Sequence, residues 1–113
     1  MRVTKSNINK FIEGTRINCP DMGITHLEYI PDGITHLYCD NNELTELPKL
    51  PESLTDLFCG VNKLTELPKL PNSLTYLDCG NNNLPYKITI KNFKEHNTLL
   101  KRKLILEKIR LYH

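Results

Sequence analysis

The chain contains no tryptophan, only 5 glycines in 113 residues, and no apolar run of membrane-spanning length. A transmembrane helix needs about 18 or more consecutive apolar residues, so a membrane span is excluded. Residues 1–10 hold no apolar stretch beside their charges, which argues against a secretory signal and for the cytoplasm. Motifs of chemistry are missing too. There is no CxxC pair, no HExxH and no glycine-rich phosphate loop, which removes the commonest zinc, metalloprotease and nucleotide fingerprints. His26, His36, His96 and His113 have no Cys, Ser or carboxylate partner at a triad-like spacing. The expectation is a protein that is not an enzyme and takes no cofactor and no metal.

What the chain has is a period. Cys19, Cys39, Cys59 and Cys79 lie 20 residues apart, and a constant period marks an array of similar structural units. Aligning the cysteines aligns their neighbours. Residues 54–73 carry Leu54, Leu57, Cys59, Asn62, Leu64, Leu67, Pro68, Leu70, Pro71 and Ser73, and residues 34–53 repeat the scheme from Ile34 to Ser53. Leu74, Leu77, Cys79, Asn82 and Leu84 continue it until it breaks at Pro85. A looser unit starts at Gly14 and contains the pentapeptide GITHL at 23–27, which recurs at 33–37. Duplication therefore explains His26 and His36 better than chemistry does.

The unit has a physical reading. Around each cysteine the pattern alternates with period two, as in a short strand with Leu37 and Cys39 on one face and His36, Tyr38 and Asp40 on the other. Such strands stack in parallel about 4.8 Å apart, and their leucines merge into one core. Asn42, Asn62 and Asn82 recur where the chain turns, where a buried amide can bond the turn and the next unit. The prolines hold the return path extended, so little helix is expected between 34 and 85. The cysteines read as small apolar residues of the inner ladder. A straight row of thiols cannot converge tetrahedrally on zinc, and buried thiols in a ladder are poorly oriented for a bridge.

The consensus LxxLxCxxNxLxxLPxLPxS resembles a leucine-rich repeat, in its short bacterial-type LPxLP subclass familiar from effector proteins delivered into host cells. The run LPNSLTYLDCG is similar also to FNIP-type repeats of amoebae and the large DNA viruses that infect them. The resemblance covers 14–85. It implies a β-dominated α/β-solenoid, a short horseshoe of about four units (14–33, 34–53, 54–73, 74–85). Parallel strands would line its concave face, an extended path its convex side, and helical caps its ends. A viral or effector origin would place the protein in host cytoplasm. Similar bacterial proteins carry a separate ubiquitin-ligase domain, for which residues 86–113 leave no room.

The ends read as caps. Residues 1–13 form the N-terminal one: Ser6–Gly14 predicts a short helix with Ser6 as N-cap, an apolar face of Ile8, Phe11 and Ile12, and Gly14 as its stop. Residues 86–113 form the C-terminal one. Tyr86–Lys91 alternates and predicts extended chain, and Asn97–Tyr112 predicts a helix free of Pro and Gly. On a helical projection Phe93, Leu100, Leu104 and Leu111 make one stripe, which suits a cap. Ile105, Ile109 and Tyr112 make a second, which suits another partner. The net charge of +2 is divided unevenly: residues 14–85 carry four positive and ten negative charges, residues 86–113 eight positive and two negative.

Stacking places outward side chains in columns: Arg16, His36, Asp56, Tyr76; then Asn18, Tyr38, Phe58, Asp78; then Pro20, Asp40, Gly60, Gly80. Tyr38, Phe58 and Tyr76 predict an aromatic patch rimmed by Arg16, His36, Asp56 and Asp78, the composition of a protein-binding hot spot. The expected partner is a protein. The acidic array and the absence of a dedicated motif argue against nucleic acid. The alternative is a homodimer or larger assembly built through Ile105, Ile109 and Tyr112 or through an open strand edge.

Overall fold

Leu37, Leu57 and their counterparts decide where the strands form. The computed structural model describes residues 1–112; His113 and the side chain of Tyr112 lie outside the described residues. The strands are β1 (Arg2–Val3), β2 (Ile12–Glu13), β3 (Arg16–Asn18), β4 (His26–Leu27), β5 (His36–Tyr38), β6 (Asp56–Phe58) and β7 (Tyr76–Asp78), followed by one helix, α1 (Phe93–Tyr112). Five of them form an open sheet in the order β2-β3-β5-β6-β7. From β3 onward the pairing is parallel and the register is one period: Ile17, Leu37, Leu57 and Leu77 stand side by side. The first three are fully buried and Leu77, on the edge strand, is half-buried.

Backbone pairing runs past the strands. Cys19, Cys39 and Cys59 donate N–H to Tyr38, Phe58 and Asp78 carbonyls at 2.9, 2.9 and 2.8 Å. Two residues after each cysteine the chain enters the left-handed region, at Asp21, Asn41, Val61 and Asn81, with φ between 53° and 55°. Asp and Asn tolerate that conformation; a β-branched Val does not. The chain then turns back along Leu44, Leu47 and Leu50, all buried. As expected, no helix occurs between 34 and 85. Ser53 and Ser73 fasten neighbouring units, donating to the Ile34 carbonyl at 2.7 Å and the Leu54 carbonyl at 2.6 Å.

The N-terminal end departs from expectation. In place of a helix over Ser6–Gly14 there is a single 3₁₀ turn, Ile8–Phe11, with Asn7 rather than Ser6 at its N-terminal boundary and no side-chain capping bond there. Ile12–Glu13 then pairs antiparallel with Arg16–Asn18, and Gly14, at φ +62°, makes the hairpin turn instead of stopping a helix. The open edge of β3 offered hydrogen bonds that a helix would have left unpaired, and β-branched Ile12 and Thr15 favour the strand. Ile8 still covers the core, at 1 % exposure. The two GITHL copies also separate. The first supplies β4, paired with β1 in a second small sheet; the second leads into β5 of the main sheet.

The same seven-residue device closes both ends. Asn7 accepts the Thr4 N–H at 2.7 Å and donates to the Arg2 carbonyl at 3.1 Å. Asn92 accepts the Thr89 N–H at 2.7 Å and donates to the Lys87 carbonyl at 2.9 Å. Each loop buries one β-branched residue (Val3, Ile88) and launches the next turn with a buried apolar one (Ile8, Phe93). Tyr86–Lys91 is therefore a loop wrapped on Asn92, not a strand. The helix begins at Phe93, four residues before the expected Asn97.

Candidate interaction face

With Leu37 and Leu57 turned into the core, period two turns positions 36, 38, 56 and 58 outward, half-buried. The columns form as predicted: Arg16, His36, Asp56 and Tyr76 are in register, as are Asn18, Tyr38, Phe58 and Asp78. Side-chain packing then crosses the columns. Ring centroids of Tyr38 and Phe58 lie 4.8 Å apart, those of Phe58 and Tyr76 4.6 Å, and His36 joins Tyr38 at 6.0 Å. Four rings make one continuous stack over β5, β6 and β7, with Tyr76 the most open at 48 % exposure. Such pairs contribute about 0.5–1.5 kcal/mol each beyond the area they bury.

The polar rim is partly occupied by the protein itself. His36 Nε2 stands 3.4 Å from Asp56 Oδ1. The His36 Nδ1 bonds the Thr35 hydroxyl at 2.8 Å, and Asp56 accepts the Thr55 hydroxyl at 2.7 Å. These contacts fix both side chains on the face. Asp78 is exposed and accepts the Gly80 N–H at 3.1 Å. It also explains the glycine beside it: a β-carbon at position 60 would lie 3.1 Å from Asp78 Oδ1 and 3.3 Å from the Gly80 carbonyl. Arg16 is exposed on β3, in register with His36 at the end of the stack.

Beneath the face runs the ladder of buried thiols. Cys19, Cys39, Cys59 and Cys79 are all free. Burial raises the pKa of each. Cys19 is pushed up to about 11 by burial and then by Asp40, and Cys39 and Cys59 are held well above the ordinary thiol range, again chiefly by burial. Cys79 rises in the same direction through burial and Asp78 and donates its S–H to the Ile88 carbonyl at 3.1 Å. These are inert, protonated side chains. Among the described residues no group of three or more metal-ligating side chains converges.

The asparagines hold consecutive units together. Asn62 accepts the Leu44 N–H at 3.0 Å and donates to the Cys39 and Cys59 carbonyls at 3.1 Å each. Asn42 serves Ile24, Cys19 and Cys39 in the same way, and Asn82 serves Leu64, Cys59 and Cys79. Each amide spans two units, so removing one takes hydrogen bonds from both, and the Cys39 and Cys59 carbonyls are each shared by two asparagines.

The second candidate surface is α1. Only its first two turns touch the array. Phe93 and His96 are buried, and Leu100 is half-buried. From Lys101 to Leu111 every residue is exposed, including Leu104, Ile105, Leu106, Ile109 and, at 83 %, Leu111. The expected capping stripe is thus cut short: Phe93 and Leu100 cap, while Leu104 and Leu111 do not. A helix of 20 residues is about 30 Å long, and it overhangs the end it covers. Ile105 and Ile109 are uncovered as foreseen, and the Tyr112 side chain lies outside the described residues.

Three anchoring residues escaped the sequence reading. Asn97 brackets Leu70, accepting its N–H at 2.8 Å and donating to its carbonyl at 2.7 Å. His96, 3 % exposed, joins the Pro68 carbonyl at 3.1 Å to the Tyr86 hydroxyl at 2.7 Å. A polar residue at 97, on the same stripe as Phe93 and Leu100, was the available signal. Among the described residues no helix is long and apolar enough to cross a membrane. No family model, curated protein or solved structure matches the chain.

Proposed function

We propose that the chain is a non-enzymatic protein-interaction module of the leucine-rich-repeat kind, a short solenoid whose concave face is the outward side of the β3-β5-β6-β7 sheet. One observation carries this reading: the continuous stack His36–Tyr38–Phe58–Tyr76, held rigid from below and open to solvent at Tyr76. Rigid, partly exposed aromatics lose little entropy on binding and dominate interface energetics. Asp56 and Asp78 border the stack, and Arg16 lies at its far end. The buried free thiols fit a reducing compartment, which supports the cytoplasm. Replacing Tyr38 and Phe58 with alanine tests the reading. The double variant should retain its fold by circular dichroism and lose at least tenfold in affinity for any protein captured by the native chain. Unchanged affinity would remove this face from the interaction.

The exposed distal half of α1 favours a second reading, self-association. Five large apolar side chains stand in solvent between 104 and 111. A helix apolar on several sides is normally covered. Eleven exposed residues in isolation would also be marginally helical in water. The free edge of β7 is a further surface for assembly. Ile105→Asp with Ile109→Asp should abolish any oligomer made through the helix.

A further inference from the structure

We infer that the distal half of α1 in one copy docks on the aromatic sheet face of a second copy. The inference rests on the sheet face being a protein-binding surface and names its occupant.

The face is acidic and aromatic. Asp56 and Asp78 stand in the columns of the ring stack, Asp56 beside His36, Asp40 follows two residues after Tyr38, and Arg16 is the one basic residue in those columns. Residues 101–111 are the opposite: five positive charges, one negative, and large apolar residues between them. Lys101, Ile105, Lys108 and Ile109 follow one side of the helix at i, i+4, i+7 and i+8, so cations alternate with isoleucines along one line. That line complements carboxylates alternating with rings. The lengths agree as well. Eleven helical residues span about 16 Å, and four strands spaced about 4.8 Å apart span about 14 Å.

Other occupants fit the helix less well. A bilayer surface asks for one apolar face and one charged face. Here Lys101, Arg102, Lys103, Glu107, Lys108 and Arg110 fall on all sides of the helix. A helix–helix coiled coil asks for an unbroken a/d seam. The Leu100–Leu104–Leu111 seam is interrupted by Glu107, and the Ile105–Ile109 seam is preceded by Arg102. The helix also leaves the array without folding back on its own sheet, since every residue from 101 to 111 is exposed. Docking therefore takes place between copies.

The test is a charge exchange between two variants of the full chain. One carries Tyr76→Lys and Asp78→Lys, both at exposed face positions. The other carries Lys101→Glu and Lys108→Glu on the helix. Mass is read by light scattering at 10- to 100-fold different concentrations, with circular dichroism confirming fold. We expect the native chain to gain mass with concentration, each variant to stay at the 13.1 kDa monomer, and an equimolar mixture to recover a species of twice that mass. A native chain that stays monomeric at every concentration overturns the inference, as does association that survives in both variants or a mixture that recovers nothing. Failure here is separable from failure of the face itself. If Tyr38→Ala with Phe58→Ala still weakens capture of a different protein, the face stands and only its occupant is wrong. If the double variant weakens nothing, the face falls too.

Discussion

Phe58 and Tyr76 stack at 4.6 Å between centroids although they belong to different columns of the sheet. The diagonal contact carries the aromatic surface across β7, where the column itself would have ended in Asp78. Without it the stack would end at Phe58, with His36, Tyr38 and Phe58 alone. We expect Phe58→Ala to cost about 1–3 kcal/mol, from two ring contacts and half a buried side chain. Tyr76→Ala should cost less than about 1 kcal/mol, since its ring is nearly half exposed. Urea denaturation of the two single variants checks the order.

Asn62 should be among the most sensitive surface-proximal positions. Alanine there leaves the Leu44 N–H without its partner and takes one of two amide donors from each of the Cys39 and Cys59 carbonyls, which keep Asn42 and Asn82, a loss of about 1–3 kcal/mol. Aspartate should fare little better, because it accepts but cannot donate. Chemical denaturation of Asn62→Ala and Asn62→Asp against the native chain decides the matter.

Much of this was legible beforehand for a simple reason. Where a unit is copied with its cysteine, asparagine and leucines, the register, the columns and the asparagine bridges follow from one period. The ends were not copied from that period, and there the sequence reading held only in part: the C-terminal helix is present, while the N-terminal helix is replaced by a 3₁₀ turn and a hairpin. The two-residue strand β1 is too short for any pattern, and the hairpin at Gly14 depends on an edge that only exists once β3 is placed. Identical GITHL segments enter different sheets because neighbours, not local propensity, choose their partners. On α1 an apolar stripe announced a cap, but the extent of the cap is set by the width of the array, which ends it at Leu100. The patch of Tyr38, Phe58 and Tyr76 was expected, but not the close diagonal stacking of Phe58 on Tyr76, since column assignment says nothing of side-chain lean.

Among the described residues Val61 is the one left-handed position filled by a β-branched residue, at φ 53°, and it is 47 % exposed. Its equivalents are Asp21, Asn41 and Asn81. The left-handed conformation costs an L-residue about 1–2 kcal/mol. We expect Val61→Asn to stabilise the protein by about 1 kcal/mol, seen as a higher urea midpoint with an unchanged slope. A loss of stability would mean that Val61 makes a compensating contact.

The thiols carry a pH prediction. Each is held above the ordinary value of 9.0 in the folded chain, Cys19 at about 11. A raised pKa means the folded state keeps its proton longer than the unfolded one. The associated stability is therefore complete below pH 9 and is lost as pH rises toward about 11. The urea midpoint should be flat with respect to these groups between about pH 7 and 8 and should fall above 9. In the same range a thiol reagent should label none of the four cysteines in folded protein at pH 8 and all four in denaturant. Fast labelling of the native state would contradict their burial.

The most direct test is photocrosslinking from the face itself. A photoreactive phenylalanine at position 76 replaces an exposed ring with a ring, and one at Lys49, on the return path, serves as control. We expect a specific protein adduct from position 76, competed by excess native chain and not by the Tyr38→Ala/Phe58→Ala chain, with no such adduct from position 49. An adduct that the double-alanine chain competes as well as the native one, or equal yields from both positions, would contradict the assignment of this face.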